Sequence, residues 1–348
     1  MKKIAIFQTD LNLGGIQKSL LNLLNNIDYN KYSIDLYLFS KNNIYIDEVT
    51  DKVNIKYLKK LPSFVKFVPF KLLNKFYKNV ITEDYDITID YNSYSMDTAL
   101  AAINVKGSKK IIWVHNDIQI KLKEEYKYRI LYSFFKGKYK YFDSYVNVSI
   151  GALSSFREKN NYSDKEYVVI PNIIDTTEII EKSNIECSYE VDSSVYNICS
   201  VGRLIHQKGF DILLSSYKDV LKTRKDIHLY IIGDGPLKSE LKKYIDNNCL
   251  EDYVTLVGFL KNPYSLMNEM DGFILTSRYE GQGMVFLEAK CLGLDVILPK
   301  HLEKYVAGLS GSDNIIEDLL KLEKHDKKID LLESYNNDIL DKINDLLK

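Results

Sequence analysis

Short apolar runs alternate with stretches of helical period along most of the chain, and the alternation starts twice. Residues 3–8 (KIAIFQ), 33–39, 87–90, 110–114, 144–149 and 167–170 read as strands, with helices over 15–24 and 152–159. After Pro171-Asn172-Ile173-Ile174-Asp175 the pattern begins again, with strands at 196–201, 228–232, 254–257, 273–276 and 296–298. A strand covered by helices on both faces is buried on both, so it shows as a continuous apolar run and pairs in parallel. The restart therefore predicts an α/β chain with two parallel sheets. At 348 residues each half is long enough to bury its own core. The expected domains are 1–175 and 176–330, with 331–348 a C-terminal helix packing back toward the first. Open parallel sheets take ligands beyond the carboxyl ends of their strands, so two facing sheets would share a central cleft.

Composition excludes several classes. Hydrophobic residues make up 45% and charged residues 27%, as in ordinary globular proteins. No apolar run is long enough to span a bilayer, and Met1 to Phe7 reads as a first strand rather than a leader, so the expectation is a cytoplasmic protein. Cys187, Cys199, Cys249 and Cys291 lack paired ligand spacing and read as free thiols. The net charge of −1 hides an asymmetry: residues 1–178 hold 26 basic against 20 acidic side chains, the remainder 21 against 28. Two segments dominate the basic half. Residues 57–80 carry six lysines, no acid, and Phe64, Phe67, Phe70 and Phe76; residues 121–142 carry seven basic residues against Glu124 and Glu125, again among aromatics. Such segments suit an anionic membrane surface, or else form amphipathic helices with inward aromatics. A pI near 6.6 and the lack of a recognisable module argue against nucleic acid.

The chemistry concentrates after the strand-like run 273–276. Ser277-Arg278-Tyr279-Glu280-Gly281-Gln282-Gly283-Met284 leads into a helix at 284–292 that carries Glu288, so two carboxylates stand eight positions apart across a glycine-bearing loop. Glycines let backbone approach a ligand, and the N–H groups of a helix start favour an anion. The arrangement suits a sugar nucleotide: diphosphate on the loop and helix start, one carboxylate for the sugar, the other for ribose hydroxyls. A solvated loop glutamate and a helix-surface glutamate are the plain alternative. Upstream, Val201-Gly202-Arg203-Leu204-Ile205-His206-Gln207-Lys208-Gly209-Phe210 joins a strand to a helix and supplies two fixed cations for a leaving diphosphate, Arg203 as a planar fork and Lys208 as a point charge. Between these motifs lie Gly233-Asp234-Gly235-Pro236, a turn, and Gly258-Phe259-Leu260, whose backbone can border a nucleobase. Near the start, Gly14 and Gly15 sit in a strand-to-helix loop that can face a phosphate or sugar, with a tight turn as the alternative. His115 follows the run 111–114 and can hydrogen-bond a sugar or leaving group; a structural histidine fits equally. The five histidines have no ligand spacing for a metal, and neither a serine nucleophile elbow nor a P-loop is present.

Taken in this order, the motifs resemble the retaining glycosyltransferases of family 4, with the GT-B fold of two Rossmann-like domains. The resemblance is densest over 196–298. It implies an acceptor-binding first domain and a donor-binding second one. By the same resemblance, Gly14 and Gly15 close over donor and acceptor, and His115 and Glu280 contact the transferred sugar. Arg203 and Lys208 hold the diphosphate, and Glu288 binds the ribose. Gly202, Gly233, Phe259 and Leu260 line the donor site, and backbone around Gln282, Gly283, Met284 and Val285 contacts sugar and phosphates. The implied donor is a nucleoside-diphosphate sugar, a UDP-sugar in the first instance, with no cofactor and no required metal. The implied acceptor is a glycan, a lipid-linked sugar or a polymer, at the inner face of the plasma membrane in surface polysaccharide synthesis. The chain departs from the pattern at Leu294-Asp295-Val296-Ile297-Leu298-Pro299-Lys300-His301-Leu302-Glu303-Lys304-Tyr305, where many relatives have a Pro-Val-Val strand and a later glycine-rich turn ending in glutamate. Two other readings stay open: a sugar-nucleotide epimerase of similar architecture, which would turn over donor alone, and a non-catalytic partner subunit.

Overall fold

Seven strands, every neighbouring pair parallel, form the first sheet: β1 (Lys2–Gln8), β2 (Tyr32–Leu38), β3 (Val53–Tyr57), β4 (Ile87–Asp90), β5 (Lys109–Val114), β6 (Ser144–Asn147) and β7 (Glu166–Val169). Their spatial order is β3-β2-β1-β4-β5-β6-β7. The computed structural model describes all residues except Leu13, Lys78, Asn79, Gly107 and Ser108, so Leu13 of the early glycine loop and two positions of the basic segment 57–80 lie outside the described residues. The chain divides into two units, Met1–Ile173 with Ser334–Lys348, and Ile174–Glu333.

Alternation along each strand sends successive side chains to opposite faces. Ile4 and Ile6 of β1, Ile34 and Leu36 of β2 and Ile111 and Trp113 of β5 join one core, which also takes Leu20, Leu23 and Leu24 of the helix Gly15–Asn26. Ala5 and Phe7, Tyr37, and Ile112 and Val114 join the other core, against Ala99 and Leu100 of the helix Met96–Asn104. Both faces being buried, the centres of these strands are mostly apolar, with Asp35 of β2 an exception. The helix Glu333–Leu346 closes the first unit by burying Ile339, Ile343 and Leu346 in the first of these cores. Lys2 Nζ and Lys109 Nζ donate to the Leu347 and Leu346 carbonyls at 3.1 Å each, which satisfies the exposed acceptors of that helix end.

The second core is aromatic. Tyr128, Tyr132, Phe135, Tyr139 and Phe156 pack ring on ring, with centroids 5.0 to 6.5 Å apart. Within it Lys138 is fully buried and lies 3.7 Å from the equally buried Asp90, while its Nζ donates to the Ser95 carbonyl at 2.9 Å. Burial pushes the Asp90 carboxyl up and the Lys138 ammonium down. Removing either partner alone would strand a buried charge.

In the second unit β8 (Tyr196–Val201), β9 (Ile227–Ile232), β10 (Val254–Gly258), β11 (Gly272–Ile274) and β12 (Asp295–Ile297) form a parallel sheet in the order β10-β9-β8-β11-β12. The winding direction reverses between β8 and β11, as it does between β1 and β4 in the first unit. Such a reversal opens a crevice beyond the carboxyl ends of the two strands.

Candidate functional site

The loops after β8 and β11 leave the second sheet side by side, and backbone fixes how they meet. Gly209 closes the single 3-10 turn His206–Lys208 with φ +65 and opens the helix Phe210–Val220. A Cβ there would stand 2.1 Å from the Thr276 carbonyl oxygen, so only glycine admits the approach. Thr276 Oγ1 donates to the Gly209 carbonyl at 2.8 Å from across the same contact. Thr276 has therefore left the strand, which ends at Ile274 and not at 276 as the apolar run suggested. Gly233, at the end of β9 with φ +147, meets Gly202 in the same way: a Cβ would lie 2.0 Å from the Gly202 carbonyl oxygen. Gly202, Gly233 and Gly258 thus stand at the carboxyl ends of three adjacent strands, and Gly233 N–H donates to the Gly258 carbonyl at 2.8 Å.

This framework brings Lys208 to Glu280. Lys208 Nζ lies 2.7 Å from Glu280 Oε1, and Ser277 Oγ donates to the same oxygen at 2.5 Å. The Glu280 side chain is 7% exposed and that of Lys208 19%, so the pair is largely out of water, where its field is weakly screened. Sequence reasoning gave the two residues separate partners. In the structure they are each other's, because β8 and β11 are neighbours in the sheet although the residues lie 72 positions apart.

Arg278 ties the loop from the other side. Its guanidinium donates to Asp211 Oδ1 and Oδ2 at 2.9 and 2.6 Å and to the His206 carbonyl at 2.7 Å, and its N–H donates to the Gln207 carbonyl at 2.8 Å. Gln207 Nε2 returns a bond to the Tyr279 carbonyl at 3.1 Å. His301 Nε2 lies 2.8 Å from the Ser277 carbonyl, and since a carbonyl only accepts, the imidazole donates. Ser277, Arg278 and His301 received no role from the sequence. No local motif announces them, because each acts through a neighbour brought in by the sheet.

The other expected residues spread around this centre. Arg203 is exposed on the β8 loop, and its guanidinium makes no ion pair among the described residues. Gln282 is buried, and Gly283 precedes the helix Met284–Cys291, which presents Met284 and Val285 in its first turn and the half-buried Glu288 one turn further on. Phe259 follows β10 with 62% of its surface exposed, and Leu260 is half-buried.

In the first unit Gly14 precedes the helix Gly15–Asn26, and its carbonyl accepts from Lys18 N–H at 3.0 Å. A Cβ on Gly15 would meet nothing within 4 Å. His115 is buried just past β5, its ring centroid 4.7 Å from that of Tyr91 and its Nε2 3.1 Å from the Tyr91 carbonyl. Burial holds its pKa down to about 3, so the ring is neutral at pH 7. The carbonyl again requires Nε2 to carry the proton, which leaves Nδ1 as an acceptor. Tyr91 in turn shares a 2.7 Å hydrogen bond with Ser19 Oγ, and Ser19 donates to Asn172 Oδ1 at 2.5 Å.

Residues 182–302 match the family model for glycosyl transferases group 1. An uncharacterised glycosyltransferase of Methanocaldococcus jannaschii is 30% identical over 249 residues, which is 66% of this chain and 60% of the archaeal protein. An N-acetylgalactosaminyltransferase of Campylobacter jejuni, named for its diphospho-undecaprenol-linked substrate, is 31% identical over 153 residues, or 44% of this chain and 40% of that one. Among solved structures, Anabaena HepE in complex with UDP and glucose superposes with a TM-score of 0.64 at 17% identity, over 99% of this chain and 91% of that one. No helix among the described residues is long and apolar enough to cross a membrane. Over residues 182–302 the chain is similar to the group 1 glycosyl transferases, and its two parallel-sheet Rossmann-like units have the GT-B fold.

Proposed function

We propose that the chain is a retaining glycosyltransferase of family 4 that moves a sugar from a nucleoside-diphosphate sugar, a UDP-sugar in the first instance, to a hydroxyl of a glycan, lipid-linked or polymer acceptor. The observation that carries this reading is the Lys208–Glu280 pair, fixed by Ser277 at the point where the second sheet reverses. A cation held there, with Arg203 on the same loop and a helix start at Met284, suits an anionic leaving group whose charge grows as its bond to the sugar breaks. Lys208 and Arg203 take the diphosphate, and Glu280 a hydroxyl of the sugar. Glu288 binds the ribose, and Phe259 and Leu260 border the base. Gly202 and Gly233 keep side chains out of the phosphate path, and backbone at Gln282, Gly283 and Val285 completes the donor site. Gly14, Gly15 and the neutral His115 belong to the sugar and acceptor side.

In the reaction the bond from the anomeric carbon to the phosphate oxygen breaks, and its electron pair leaves with the diphosphate. The acceptor hydroxyl attacks from the same face and its oxygen bonds to that carbon. Its proton passes to the departing phosphate oxygen, so no protein nucleophile and no metal enter the scheme. The chain works at the inner face of the plasma membrane, where Phe64, Phe67, Phe76 and Tyr126, each more than half exposed among lysines, meet anionic lipid.

A thermal-shift panel of nucleoside diphosphates and their sugars tests the donor reading. A ligand at about 100 times its dissociation constant adds about 2.7 kcal/mol, a shift of several degrees. Glu288→Gln should weaken that shift for the preferred nucleotide. A panel with no responder, or an unchanged Glu288→Gln, would overturn the assignment. Release of free nucleotide only when acceptor is present separates transfer from epimerisation, and equal sedimentation with neutral and anionic liposomes would remove the membrane.

A further inference from the structure

The first unit holds a cavity of about 500 Å³ that the donor chemistry does not use. Its lining includes Thr9, directly after β1, and Ser95, Met96 and Asp97, at the start of the helix that follows β4. These are the two strands between which the first sheet reverses, so the cavity reaches the place where an open parallel sheet takes its ligand. The lining also takes residues from both basic aromatic segments, Pro62 and Val65 from one and Tyr128, Leu131 and Phe135 from the other.

Charge around it is one-sided. The lining includes Lys60, Lys66, Lys121 and Lys127 against Asp97 and Glu125. Both acids are engaged: Asp97 accepts the Leu61 N–H at 2.7 Å, and Glu125 lies 3.7 Å from Lys121. Lys60, Lys66 and Lys127 form no ion pair among the described residues. Lys121 Nζ stands 4.2 and 5.0 Å from the ring centroids of Tyr94 and Tyr128, so a cation is already seated on the aromatic wall. Ser95 is fixed at both ends of the residue, since buried Lys138 donates to its carbonyl and its Oγ caps the helix Met96–Asn104.

Resting on the transferase reading above, we infer that this cavity binds one anionic amphiphile, a phosphate-bearing hydrocarbon, as the carrier of the acceptor. The hydrocarbon lies between Val65, Leu131 and Phe135, and the phosphate meets the lysines. A neutral glycan would leave the lysines of the lining unused, and inorganic phosphate would leave its apolar side chains unused. Apolar side chains and unpaired lysines in one lining select the amphiphile.

Calorimetric titration of the full chain with decyl phosphate, below its aggregation concentration, tests this against decyl maltoside and inorganic phosphate. Decyl phosphate should bind at least tenfold more tightly than either. Charge reversal in the Lys60→Glu/Lys66→Glu/Lys127→Glu variant should weaken it at least tenfold. Ser63→Trp, at an exposed position of the lining, should do the same by filling the cavity, which separates specific seating from adhesion to exposed rings. The thermal shift given by UDP reports that both variants are folded. Equal affinity for decyl maltoside, or unchanged binding in Ser63→Trp, overturns the site. A wild-type chain that binds UDP but not decyl phosphate overturns it while the donor reading stands; a chain that binds no nucleoside diphosphate overturns that reading and this one with it.

Discussion

The two units handle polar groups in opposite ways where their sheets reverse. In the second, charges face each other and are tied down: Lys208 to Glu280, Arg278 to Asp211, with Ser277, Gln207 and Thr276 bonded around them. In the first, the two rings beyond β4 and β5 are buried and neutral, His115 on the Tyr91 carbonyl and Tyr91 on Ser19, while Lys60, Lys66 and Lys127, which form no ion pair among the described residues, line a cavity with aromatics. Net charge would have suggested the reverse, since the acidic half of the chain holds the fixed cations. A few oriented groups at a strand end decide what a site can stabilise, and the sum over a hundred side chains does not. The arrangement in the second unit suits one constant anion; that in the first suits ligands that vary in shape.

The sharpest way to break this contrast is Lys208→Ala. If the fixed cation stabilises a leaving diphosphate, turnover measured as nucleotide release should fall by about 10²–10³, the cost of about 2.7–4 kcal/mol for one preorganised group. A loss under tenfold would mean that the pair is structural. Next in size is Gly209→Ala. The added Cβ would lie 2.1 Å from the Thr276 carbonyl oxygen at φ +65, so backbone must shift, at about 2–3 kcal/mol. Hydrogen exchange should place that loss in the second unit and leave β1 to β7 protected. Equal deprotection of both units would show that they do not fold as separate cores.

His115 tests the neutral side of the contrast through pH. Its pKa is about 3 when folded against 6.5 in the free side chain, so between these values the unfolded chain binds a proton that the folded one refuses. Stability conferred by this group is therefore full above about pH 6.5 and is lost as pH falls toward 3, at roughly 1.4 kcal/mol per pH unit within the window. Asp90, raised to about 6, works in the opposite direction, favouring the folded state at low pH. The informative quantity is thus the difference between wild type and His115→Gln in denaturant unfolding from pH 7 to 5. The variant should lack the His115 slope; identical slopes would mean that the imidazole is not held neutral.

What could be read in the sequence follows from where its signals are local. Strands buried on both faces declare themselves as apolar runs, and nine of the ten parallel ladders join strands that were legible in this way. β3 was missed because it is an edge: Asn54 and Lys56 turn their polar ends to Asp35 at 3.0 and 2.9 Å, which breaks the apolar run. The glycine loops and charged residues pointed to an anionic sugar ligand, but the pairing of Lys208 with Glu280 depends on β8 and β11 being neighbours. Among the phenylalanines of the basic segment, Phe64, Phe67 and Phe76 are exposed while Phe70 is buried against the first unit's aromatic core. Their spacing of three carries no hint of that difference, because the chain there is a 3-10 turn, a proline and a short helix in succession.

The smallest expected effect concerns His301, in the segment that departs from the family pattern. Its imidazole donates to the Ser277 carbonyl, Ser277 donates to Glu280, and Glu280 holds Lys208. His301 touches neither charge, so it acts as a positioning residue. Because the residue is exposed, water can take over the carbonyl in His301→Ala, and the cost should stay near 1 kcal/mol, about fivefold in kcat with donor KM unchanged. His301→Gln keeps an N–H donor and should recover most of the loss, which a merely space-filling role would not predict. Combining His301→Ala with Ser277→Ala should cost less than the two single losses together, since both loosen the same carboxylate. Additive losses would show that the loop after β11 is held by each contact separately, and that the fixed charge of the second unit does not depend on the segment 294–305.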